Sequence, residues 1–156
     1  MREIFLFITT IAFILIGLFI YRPFLEISLS LITNENVQLN TYRISDGFYS
    51  KFYFSVLLGY IPVTYYIIQK KTKFHFFIDG AHTILYIIGF GFLSWVFRCL
   101  YLYEKFENLS LYDLSSEINP LFSIDKFYLE HYLLLGFLIG AIISFIIFNR
   151  KKKKQS

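Results

Sequence analysis

Four long blocks of this chain, at about 4–21, 52–69, 78–97 and 132–148, are dominated by apolar residues. Apart from Asp79 at the lip of the third, none of them holds a charged side chain. A helix needs about 18–20 such residues to cross roughly 30 Å of hydrocarbon, so each block predicts one membrane span. Lipid offers no water to backbone N–H and C=O groups, and only a helix satisfies them within one segment. The expected fold class is therefore an all-α integral membrane protein with four transmembrane helices in a single domain covering 1–156.

The segments between the blocks set the expected orientation. One side collects Arg2, Lys70, Lys71, Lys73, Arg150, Lys151, Lys152, Lys153 and Lys154, against Glu3 and Asp79. The other holds six basic residues and nine acidic ones, which together recover the net charge of +4. Basic residues are retained in the cytosol, so both termini and the tight connection near 69–74 are expected there. Residues 22–51 and 98–131 then form two short extracytoplasmic loops, and 149–156 a basic cytoplasmic tail.

Within the first loop, Pro23 is expected to stop or redirect the first helix. The half-apolar stretch 24–32 is too short to span and is expected to lie along the interface. Thr33, Asn34, Glu35 and Asn36 form a turn-type cluster. In the second loop acidic residues alternate with Tyr, Leu and Phe, which suits one or two short helices on the membrane surface, with a break at Pro120. The first block lacks a small-x-small cleavage site before Arg22, so it reads as a retained anchor rather than a removed signal peptide.

Composition narrows the classes further. The chain has 156 residues, 56% of them hydrophobic and 22% aromatic, and a mean hydropathy of +0.57. Four spans use nearly all of that length and leave no room for an ordinary soluble catalytic domain. A single cysteine, Cys99, excludes an intramolecular disulfide and a multi-cysteine zinc site. There is no phosphate-binding glycine loop, no HExxH and no GxSxG. Neither metal nor cofactor is expected.

Helices in lipid associate where small residues let their backbones approach. Gly136, Gly140 and Ser144 give such a stripe on the last span, and Ser55 and Gly59 give one on the second. These are the expected packing faces, with each other or with a second subunit. Pro62, mid-span, is expected to bend the second helix.

Candidate chemistry is sparse. Asp79, His82 and Tyr86 stand three and four apart, on one helix face. Ionisable groups in a membrane suggest a ligand site or proton relay, with histidine able to titrate near neutral pH. The competing reading is a polar lip, in which Asp79 meets the positive helix N-terminus and the neighbouring lysines. No second acid follows Tyr86 to receive a proton. Cys99 beside Arg98 could act as a thiolate with His131 and Glu130, although no spacing fixes them together.

The run of Arg150 and four lysines reads as a lipid anchor, as a dock for an acidic cytosolic protein or, in a eukaryote, as a dilysine retrieval signal. These features favour a non-enzymatic anchor or sensor subunit in a bacterial inner membrane. The expected partners are the bilayer, further copies of the chain and a cytosolic protein, with no direct nucleic-acid binding. Heavy use of Phe, Ile, Tyr and Lys suits an AT-rich bacterial gene and suggests a multi-component system, antiphage defence being one concrete case. An oligomeric channel or pore-forming effector is the first alternative, and a small transporter or proton-linked carrier the second.

Overall fold

The computed structural model describes residues 2–33, 48–72, 78–110 and 124–155. Four helices account for nearly all of them: α1 (Arg2–Ile32), α2 (Phe48–Thr72), α3 (Ile78–Ser110) and α4 (Leu129–Gln155). A 3-10 turn, Ile124–Phe127, precedes α4. Each helix is long and apolar enough to cross a membrane, the architecture of a helical, multi-pass membrane protein.

The helices alternate in direction. Their near end carries residues 2, 72, 78 and 155, and their far end carries 32, 48, 110 and 129. α1 packs along α2 and α3 along α4, while α2–α4 and α1–α3 contacts join the two pairs. α1 and α4 therefore occupy opposite corners, with α2 and α3 meeting across the centre.

Helix ends differ from the expected span ends for a physical reason. Hydropathy marks where lipid stops, whereas a helix continues while packing or capping supports it. α3 has 33 residues, about 50 Å at 1.5 Å per residue, against a core of roughly 30 Å. Residues 98–110, expected within a separate surface loop, thus extend α3. Asn34, Glu35, Asn36, Lys73, His75 and Pro120 lie outside the described residues.

The largest departure is at Pro23. It sits inside α1 rather than ending it, and 24–32 continues the helix instead of lying along the interface. Proline withholds one backbone hydrogen bond, but the turns beyond it are the best buried of the helix. Leu25, Ser28, Leu29 and Ile32 all face the core, and burying the two leucines and the isoleucine stabilises by about 1.5–3 kcal/mol each. That packing outweighs the lost bond. Thr33 closes the end, its N–H and its hydroxyl both donating to the Leu29 carbonyl at 2.8 Å. Pro62 likewise stays inside α2.

The core is concentrated toward the far end. Phe24 stacks on Phe54 at 4.6 Å and leans on Trp95 at 5.7 Å, with Tyr21 and Phe92 around them. Leu102, Phe106, Phe127 and Leu129 continue the cluster outward. Toward the near end α1 is bare on most sides, with Ile4, Phe5, Phe7 and Ile8 all more than half exposed. Acyl chains cover such a surface without cost, where water would not.

Candidate functional site

Two glycine seams fix the geometry on which any site must be built. A Cβ on Gly136 would stand 2.5 Å from the Gly91 Cα and against the Phe90 carbonyl. One on Gly140 would stand 2.8 Å from the Ile87 Cα. α4 therefore lies with its backbone directly on that of α3. Ser144 completes the row, donating a hydrogen bond to the Thr83 hydroxyl at 3.1 Å, which itself donates to the Asp79 carbonyl at 2.9 Å.

The second seam joins α1 and α2. A Cβ on Gly17 would stand 2.6 Å from the Ser55 Cα, and one on Gly59 would stand 2.6 Å from Ile14 Cγ1. The stripes Ser55/Gly59 and Gly136/Gly140/Ser144 thus serve separate helix pairs inside one chain. Each faces the helix adjacent to it in an antiparallel hairpin rather than the other stripe. Gly17, Gly91 and Thr83 are the partners that sequence reasoning missed.

That seam also decides which face of α3 is buried. Asp79, Thr83, Ile87, Gly91, Trp95 and Cys99 turn inward at steps of four. His82 is exposed and Tyr86 is half-buried. The structure therefore does not gather Asp79, His82 and Tyr86 into one buried path. The polar row that is buried runs Asp79–Thr83–Ser144, and it stops at Ile87 and Phe137, both in the core.

Asp79 lies in the first turn of α3 and Glu3 in the first turn of α1. Lys70 and Lys71 occupy the last turn of α2. Each charge opposes the helix-end dipole beside it, an effect of about 0.3–1 kcal/mol for the exposed Glu3, Lys70 and Lys71, while Asp79 is buried. Lys70, Lys71 and Arg150 are exposed, and the α4 backbone remains helical through Lys151, Lys152, Lys153 and Lys154 to Gln155.

At the far end, Cys99 is only 1% exposed. His131 is exposed instead, stacked on Tyr53 at 5.1 Å and edge-on to Tyr128 at 5.5 Å. A buried thiol and an outward imidazole do not form a nucleophilic pair. Among the described residues, no three of His, Cys, Asp and Glu come together as a metal site.

Arg98 is more organised than the sequence suggested. Its Nε donates to the Phe127 carbonyl at 3.0 Å, and its guanidinium lies 4.7 Å from the Tyr132 ring and 5.5 Å from the Tyr101 ring. Lys105 also approaches the Tyr101 ring, at 5.5 Å. Phe127 is held edge-on to Phe106 at 5.7 Å. The next residue, Tyr128, takes a left-handed backbone with φ of 53°. For a bulky residue that conformation costs about 1–2 kcal/mol. Arg98 and the two N–H groups that the Tyr128 carbonyl accepts, from His131 and Tyr132, hold the turn into α4.

No protein-family model, curated protein or solved structure matches this chain.

Proposed function

We propose that the chain is a non-enzymatic anchor or sensor subunit of a multi-component bacterial system, antiphage defence being one such setting. In this reading it lies in the inner membrane with both termini cytoplasmic and holds a cytosolic protein at the membrane surface. The observation that supports it is the unbroken passage of α4 from its apolar span into the basic run. Twenty-seven residues of helix measure about 40 Å, roughly 10 Å more than the hydrocarbon core. The positive charge is therefore carried on a helical projection, with Lys70 and Lys71 at the same end.

The interior of a single chain is filled by Phe54, Trp95, Ile87 and Phe137, so a conducting path would have to form between copies. Reconstituted liposomes are expected to conduct no more than protein-free ones. Changing Lys151, Lys152, Lys153 and Lys154 to Gln is expected to leave the chain in the membrane fraction. The same change should reduce in-cell cross-linking to the cytosolic partner at least tenfold. Unchanged cross-linking, or ohmic conductance above background, contradicts the proposal.

A further inference from the structure

We propose that the far-end corner of α3 and α4 binds the phosphate of a membrane lipid headgroup, with Arg98 as its main ligand. Depth is the first argument. Arg98 stands 20 residues beyond Ile78 on one continuous helix, about 30 Å, the thickness of a bilayer core. With Asp79, Lys70 and Lys71 at one headgroup layer, Arg98 falls at the other.

Preorganisation is the second. The bond from Nε to the Phe127 carbonyl and the two tyrosine rings fix the guanidinium in place. Among the described residues no carboxylate pairs with it and no acceptor closes on its two Nη groups, whereas Arg22 pairs with Glu26 on α1. A guanidinium fork matches two phosphate oxygens.

Charge around it is mixed. Lys105 lies 5.5 Å from the Tyr101 ring and exposed Lys126 immediately precedes Phe127. Glu104 and Glu107 lie on the same stretch of α3, and Glu130 in the first turn of α4. Tyrosines at this depth suit an interfacial site. Below Tyr132, exposed Leu135 and Ile139 follow three and seven residues on along α4 and offer apolar surface to the acyl chains. That surface commits the site to a lipid phosphate rather than to a free anion.

The test is native mass spectrometry on delipidated protein carrying Lys70→Gln, Lys71→Gln, Lys151→Gln, Lys152→Gln, Lys153→Gln and Lys154→Gln, which removes six of the nine basic residues expected at the near end. This protein is expected to retain one dioleoyl phosphatidylglycerol, and Arg98→Gln to lower retention at least fivefold. Arg98→Lys, which keeps the charge but loses the fork, is expected to fall between them. Dioleoylglycerol, with the same chains and no phosphate, is expected to be lost, and millimolar inorganic phosphate alone to stay unbound. Equal retention by Arg98→Gln, or equal retention of dioleoylglycerol, overturns the proposal, as does binding of inorganic phosphate as tight as that of the lipid. Should Arg98→Gln not fold, the two-lipid comparison on unaltered Arg98 decides. Partner docking at the near end plays no part in any arm.

Discussion

Replacing Trp95 by alanine is expected to lower stability by about 3–5 kcal/mol, the range for removing a large buried aromatic. Trp95 is 6% exposed and touches both Phe24 and Phe92. Its indole N–H also donates to the Ser28 hydroxyl at 2.9 Å. This one side chain therefore ties the α1–α2 pair to the α3–α4 pair. The Ser28 hydroxyl itself donates to the Phe24 carbonyl at 2.7 Å, so the bridge is fixed from both sides. Ser28→Ala is expected to cost about 1–3 kcal/mol, because it leaves a buried indole N–H without an acceptor. Trp95→Phe is expected to cost less than Trp95→Ala, since most of the ring contact survives. Reversible unfolding in mixed micelles measures all three. A Trp95→Ala loss under 1 kcal/mol would remove this residue as the joint between the pairs.

Gly136→Ala is expected to cost about 1–3 kcal/mol, and Gly136→Leu more. The neighbours of the added carbon are the Phe90 carbonyl and the Gly91 Cα. Backbone cannot rotate away as a side-chain tip can, so α4 has to move off α3 as a body. Gly89 provides the internal control. It lies on the same α3 helix but has nothing within 4 Å of its added Cβ. Gly89→Ala is expected to be neutral or stabilising by up to about 1 kcal/mol, from helix propensity alone. Thermal melts in detergent, with a disulfide between engineered cysteines across the α3–α4 seam as a distance check, separate the two. Equal effects at Gly136 and Gly89 would mean that the seam does not hold the pair together.

The four spans were legible because lipid enforces long uncharged blocks, a signal that tertiary context cannot disguise. Helix ends were not. Pro23 is a breaker by local chemistry, and only the burial of Leu25, Ser28, Leu29 and Ile32 carries α1 past it. The small-residue stripes declared that two faces are flat, but not what lies on them. Gly17 is flanked at four-residue spacing by Phe13 and Tyr21, so nothing in α1 marked it as the partner of Ser55. The Asp79, His82 and Tyr86 spacing allowed a shared face, yet the face that is buried depends on where α4 sits. His82 falls about 60° round the helix from the line through Asp79 and Tyr86, since three residues at 3.6 per turn stop short of a full circle. Arg98 drew attention in sequence only as a neighbour of Cys99. Tyr101 is one turn along the same helix, but the Phe127 carbonyl and the Tyr132 ring come from the turn before α4 and from α4 itself, 29 and 34 residues away.

The central claim is four lipid-embedded helices with the lysine-rich end in the cytosol, and site-directed labelling tests it most directly. In a Cys99→Ala background, single cysteines at Lys51, Lys126, Lys71 and Arg150 all occupy exposed positions. A membrane-impermeant maleimide applied to intact cells is expected to label the cysteines at 51 and 126 at once. Those at 71 and 150 should react only after permeabilisation. Labelling of 71 and 150 in intact cells, or equal labelling of all four, would contradict the account.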